Sequence, residues 1–199
     1  MIDLPESAGG NKVKKRIVVS VVLAVLLAAS AYAQTTDFFV LVETGTPQDV
    51  QAAISKGADV NSRDSARVET TPLIAAAAYN NDPAVITTLL KAGADIDARD
   101  LHYGATALMW AANNNQNPEV VATLLKAGAD IKAHTEDGGT ALIIAAQFNR
   151  NPEVIMVLLN AGADAKVKDS EGKTALDYAK DNWALKGTDA LKQLEEASK

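Results

Sequence analysis

His102 and His134 are the only two histidines in the chain, and there is no cysteine, so any metal or proton-transfer chemistry has to start from these imidazoles. Imidazole titrates near neutral pH and binds zinc, but a closed zinc site takes about four ligands, and here the rest would be recruited carboxylates. Both histidines fall beside expected turns, where a solvated imidazole needs no such recruitment. The same scarcity leaves no Ser/His/Asp or Cys/His constellation to activate a nucleophile. Asp59, Asn61 and Asp64 begin like a calcium loop, yet the sixth and twelfth positions, which require Gly and Glu, hold Asp64 and Thr70. The glycines recur on a period instead of clustering into a phosphate cradle. No catalytic residue, cofactor or metal is therefore expected, and the chain is not expected to be an enzyme.

Composition narrows the remaining classes. Of 199 residues 48% are hydrophobic but only 5% aromatic, so the core must be assembled from Ala, Leu, Val and Ile, a mixture that favours helices. The formal net charge is −6. Binding to a phosphate backbone relies on clustered cations, so nucleic acid is not an expected partner.

Residues 1–33 stand apart. Lys12, Lys14, Lys15 and Arg16 precede an uncharged run from Ile17 to Ser30, and Ala31-Tyr32-Ala33 follows. This is the layout of a signal peptide cleaved after Ala33. The run of 14 residues is shorter than the roughly 20 apolar residues of a membrane-spanning helix. The polar stretch before Lys12 is unusual for such a leader, and a start at Val13, whose codon can initiate translation in bacteria, would remove it. The expected product is periplasmic or secreted, meeting the membrane only in transit through residues 1–33. Removing those residues takes away four basic and two acidic side chains and leaves a domain of net charge −8 over 34–199. Without cysteine, neither a disulfide nor a cysteine-linked lipid can hold it.

The elements that position these side chains announce themselves by repetition. Gly57-Ala58-Asp59, Gly93-Ala94-Asp95, Gly128-Ala129-Asp130 and Gly162-Ala163-Asp164 recur at steps of 36, 35 and 34 residues. Thr71-Pro72-Leu73, Thr106-Ala107-Leu108, Thr140-Ala141-Leu142 and Thr174-Ala175-Leu176 keep time with them at steps of 35, 34 and 34. A period of this size means a solenoid. Each Thr can cap a short Ala-rich helix. Asp82-Pro83, Asn117-Pro118 and Asn151-Pro152 announce a second helix by an N-cap residue before proline. Doublets such as Val120-Val121 and Leu124-Leu125 then form one apolar stripe facing the core. Gly93, Gly128 and Gly162 stand where a left-handed residue ends that helix.

These registered phrases resemble the ankyrin repeat over about Asp37 to Ser198. The resemblance implies an all-α solenoid of stacked helix-loop-helix units with inter-repeat β-turn or hairpin tips. Units are expected at about 35–63, 64–99, 100–134, 135–168 and 169–199, the outer two acting as caps. In the first, Phe38 to Val42 open a helix and Thr46-Pro47 starts the next. The pattern departs from the family in two ways. Its usual Thr-Pro-Leu-His has Ile74, Met109, Ile143 and Asp177 in place of His, which removes a Thr-to-His hydrogen bond. Asn, Asp and Pro also occupy the loop between helices, with one extra residue lengthening the period.

The resemblance further implies a concave face, made of turn tips and the exposed side of the first helices, that grips a partner protein. Tips would carry Arg67, Val68 and Glu69, then Leu101, His102 and Tyr103, then Glu136 and Asp137, then Ser170, Glu171 and Lys173. First helices would add Tyr79, then Trp110, Asn113 and Asn114, then Gln147 and Phe148, then Tyr178, Asp181, Asn182 and Trp183. Aligned aromatics in a chain this poor in them can be interface anchors; Trp110 and Tyr178 can equally fill the space between units. The expected function is a non-catalytic protein–protein interaction module, an adaptor or regulator of an exported partner, acting as a monomer, its acidity suiting a basic patch. The alternative is a small-ligand or metal-binding periplasmic protein using the same aromatics and His102.

Overall fold

The computed structural model describes residues 37–64 and 69–199. The leader with its cleavage site, the start at Val13, and the tip residues Arg67 and Val68 lie outside the described residues.

Five helix pairs follow in order: α1 (Phe38–Thr44) with α2 (Pro47–Ser55), α3 (Pro72–Tyr79) with α4 (Pro83–Lys91), α5 (Ala107–Asn114) with α6 (Pro118–Lys126), α7 (Ala141–Phe148) with α8 (Pro152–Asn160), and α9 (Ala175–Asp181) with α10 (Asp189–Ala197). A 3-10 turn, Trp183–Leu185, replaces the short loop of the last pair. Among the described residues there is no named strand, only two isolated bridges, Asp64 with Thr70 and His134 with Thr140, at the expected hairpin tips. No helix among them is long and apolar enough to cross a membrane.

First helices stack on first helices and second helices on second helices along the whole series. The first helices are short and alanine-rich because they are crowded: Ala76, Ala77, Ala111, Ala112, Ala145 and Ala146 have no exposed surface. A larger side chain there would force the units apart. Second helices are one-sided. Val85, Ile86 and Leu89 are fully buried, as are Val120, Val121 and Leu124, and Val154, Ile155 and Leu158, while the residues between them are only partly buried. Gly57, Gly93, Gly128 and Gly162 end the second helices at φ between 90° and 97°, a conformation that costs a side-chain-bearing residue about 1 kcal/mol.

Capping follows the sequence with one exception. Thr71, Thr140 and Thr174 accept the backbone N–H of Ile74, Ile143 and Asp177, each at 3.3 Å. Thr106 makes no such bond, and its hydroxyl is buried without a partner among the described residues; nothing in the structure explains this difference. Asp177 does more than replace histidine. Its carboxylate accepts both the N–H (2.9 Å) and the hydroxyl (2.8 Å) of Thr174, so the last unit regains a side-chain bond across the helix start, as Thr46 and Asp49 do in the first unit.

The falling period is set at the tips. A backbone bond spans each tip, from Asp64 to Thr70, Asp100 to Ala105, Thr135 to Gly139 and Asp169 to Lys173. The enclosed stretch shrinks by one residue at each of the first two steps, matching the spacings of 36, 35 and 34. The loop between helices keeps a constant construction, built on asparagines, one of which, Asn182, is expected from sequence on the concave face but is buried instead. Asn80, Asn115, Asn149 and Asn182 are all buried. Each donates two hydrogen bonds to carbonyls of the preceding unit: Asn115 to Ala77 and Asn80, Asn149 to Ala112 and Asn115, Asn182 to Ala146 and Asn149, all between 2.8 and 3.0 Å. Asn80 reaches Val42 and Gly45 in the same manner. Each side-chain oxygen accepts the N–H two residues on, so every polar atom in the ladder is satisfied.

Candidate functional site

The tips and the first helices meet at turn aspartates. Asp100 is almost fully buried. Its carboxylate accepts the backbone N–H groups of His102 (2.8 Å), Tyr103 (2.6 Å) and Ala105 (3.2 Å), together with the indole N–H of Trp110 (2.9 Å). Asp169 repeats the arrangement two units on. It accepts the N–H groups of Glu171 and Lys173 and, at 2.6 Å, the Tyr178 hydroxyl. Trp110 and Tyr178 are half-buried and are thereby fastened to their own tips. They brace the turns of their own units and also line the groove beside them.

The electrostatics follow from these contacts. Partial burial opposes charge on Asp169, but the bonds from Tyr178 and from the Lys173 and Glu171 backbone outweigh it and hold the carboxyl below its ordinary range. The same bond keeps the Tyr178 hydroxyl protonated, pushing its pKa up to about 12. Lys173 lies 5.1 Å from the centre of the Tyr178 ring and 2.7 Å from a Glu171 carboxylate oxygen. Its pKa is raised, chiefly by the hydrogen bond from its ammonium to Glu171.

Between the tips and helices α5, α7 and α9 runs a groove of about 570 Å³ walled by Tyr103, Trp110, Phe148 and Tyr178, with Asn113, Ile144 and Gln147 on its floor and Asp137, Asp169 and Glu171 on its tip side. A second hollow continues past Trp110 to Tyr79 and Glu43. A third continues past Phe148 and Tyr178 to Asp181 and Trp183. The aromatics predicted from sequence therefore fall on one continuous strip. Tyr79, Tyr103, Phe148 and Trp183 keep 48–70% of their surface exposed, whereas Trp110 and Tyr178 do not. Tyr103 meets His102 edge-on at 4.4 Å and Trp110 at 6.3 Å between ring centres. Leu101 and His102 are exposed at the tip but line none of these hollows, and neither does Asn114.

Neighbouring tips are joined by backbone bonds, Glu136 N–H to Tyr103 (3.2 Å) and Ser170 N–H to Asp137 (2.9 Å). Arg63 and Arg99 stitch them from behind: Arg99 donates to the carbonyls of Gly104 (2.6 Å) and His134 (2.7 Å). The strip is therefore presented by a braced surface. Sequence reasoning missed the two aspartate tethers. The signal was faint, because Asp100 and Trp110 are separated by a tip whose length differs from that of Asp169 and Tyr178. Among the described residues no three His, Asp or Glu side chains gather into a metal-binding group. His134 points its Nδ1 at the Thr135 carbonyl, 3.2 Å away.

Comparison with known families agrees with this architecture. The family model of ankyrin repeats (3 copies) matches residues 38–135 and again 112–196. No curated protein matches the chain. Ankyrin repeats are general protein–protein interaction modules, and proteins of this kind are generally non-catalytic. Paired helices that stack like on like, left-handed glycines after the first four second helices and the match over both halves of the described chain lead to one assignment: the chain belongs to the ankyrin-repeat family.

Proposed function

We propose that this chain is a non-catalytic adaptor or regulator that binds an exported protein partner through the strip formed by Tyr79, Tyr103, Trp110, Phe148, Tyr178 and Trp183, and that it does so as a monomer in the periplasm or outside the cell. The observation that carries the reading is the exposure of Tyr79, Tyr103, Phe148 and Trp183 on one side of a scaffold whose other positions repeat. Large aromatics left in water cost solvation and lend rigid contact area, as interface anchors do. Export is supported by the basic-then-apolar layout of residues 12–33. Lys192, Glu195 and Glu196 on α10 are exposed and close the stack with a polar surface, which suits a single array.

The test is capture with crosslinking from an exported-protein fraction, comparing the native chain with Tyr103→Ala/Phe148→Ala. Both side chains are exposed, so melting should stay within a degree or two while capture falls at least about tenfold. Equal capture by both chains would remove the strip from consideration. A second reading, small-molecule binding, draws on the groove volume, which is of ligand size. Calorimetry against divalent metals and common periplasmic metabolites decides it, since saturable heat would favour that reading over a protein partner.

A further inference from the structure

The groove between the tips has a charge pattern as specific as its shape. Its walls are Tyr103, Trp110, Phe148 and Tyr178; its tip side carries the carboxylates of Asp137, Asp169 and Glu171, and among the described residues no Lys or Arg lines it. The Asp169 oxygens are already committed to Tyr178 and to two backbone N–H groups. The Asp137 carboxylate is exposed and has no hydrogen bond or ion pair among the described residues. Glu171 shows what the site attracts. The chain's own Lys173 folds over the Tyr178 ring at 5.1 Å and pairs with Glu171 at 2.7 Å. A cation resting on an aromatic face beside a carboxylate gains from ring and charge together. It gains more when a partner's approach removes water.

We propose, resting on the protein-binding reading above, that the groove receives a linear segment of the partner presenting an Arg or Lys beside a bulky apolar residue. The cation lies between Asp137 and Glu171 and displaces Lys173 from Tyr178; the apolar neighbour packs on Phe148. Lys173, which lines the neighbouring hollow, is then an internal competitor for the Tyr178 ring and the Glu171 carboxylate that a better-placed cation in the groove displaces. The expected basic patch thereby narrows to one side chain in one groove.

Selecting the full chain against a phage library of random short peptides tests this directly. The enriched peptides should carry Arg or Lys next to a large apolar residue and should bind less tightly as salt rises. Asp137→Asn and Glu171→Gln should each weaken them about tenfold. Lys173→Met should tighten them, because the competitor is gone. Enriched peptides without a basic residue that still require Phe148 would overturn the cation site while leaving the interaction module standing. Lys173→Met that binds no tighter would overturn the displacement. Peptides indifferent to Phe148→Ala would overturn this inference and the strip together.

Discussion

Replacing Asn149 by alanine removes three hydrogen bonds at a point without solvent access. The side chain has 0% exposure, donates to the carbonyls of Ala112 (2.8 Å) and Asn115 (3.0 Å), and accepts from the Asn151 N–H (2.8 Å). Each bond contributes about 1 kcal/mol net, and a buried partner left unpaired costs about 1–3 kcal/mol. The expected loss for Asn149→Ala is therefore about 3 kcal/mol at the least. Asn117 provides the control. It makes two bonds of similar length, to the Asn81 carbonyl (2.7 Å) and from the Glu119 N–H (3.1 Å), but in reach of water, so Asn117→Ala should cost about 1 kcal/mol, the usual worth of an N-cap. Urea unfolding followed by far-UV circular dichroism measures both. Asn149→Asp should be at least as damaging as alanine, because it sets a carboxylate against two carbonyl oxygens. If Asn149→Ala falls within about 1 kcal/mol of the native chain, or matches Asn117→Ala, the ladder is not a main source of cohesion between units and the argument fails.

Other outcomes follow from single contacts. Thr106→Val should be neutral or stabilising in thermal melts, since it deletes a buried hydroxyl without a partner, whereas Thr140→Val should cost about 1 kcal/mol with its cap bond; equal losses would contradict the assignment. Gly138→Ala should destabilise more than Gly128→Ala. Both have positive φ, but a Cβ at Gly138 would lie 3.2 Å from the Asp169 Cα, while at Gly128 it would meet nothing within 4 Å. Tyrosine absorbance should show one phenol ionising near pH 12, shifted back towards 10 by Asp169→Asn. Because that pKa is raised by folding, the Tyr178–Asp169 contact is at full strength below pH about 10 and is lost as pH rises through about 12. At the acid end the sign reverses. Asp169 is held below its usual value, so its contribution persists above the unfolded carboxyl range and fades as pH falls through the lower folded value; acid melts of Asp169→Asn should lack this loss.

Helix starts and stops were legible because their signals are local. A Thr or Asn cap, a proline at the first helical position and a glycine with nowhere else to go each act within one turn. The ladder was not legible in that way. Asn80, Asn115, Asn149 and Asn182 have the composition of loop residues, and only their partners one unit earlier reveal that they are interior. Their recurrence just ahead of Asp82-Pro83, Asn117-Pro118 and Asn151-Pro152 was the clue available. The tethers of Trp110 and Tyr178 were hidden by unequal tips, which shift each Asp relative to its aromatic. Exposure also separated residues that share a type: Phe148 and Trp183 project into water while Trp110 is bonded to Asp100, a distinction fixed by tertiary contacts rather than by period.

The asparagine ladder has a direction. Every amide reaches back to carbonyls of the unit made before it, and none reaches forward. A chain emerging from synthesis thus adds each unit to acceptors already in place, and the last unit can come away leaving only carbonyls for water to cover. Losing the first unit would instead strand the amide of Asn80, so the array is built to assemble, and to fray, from opposite ends.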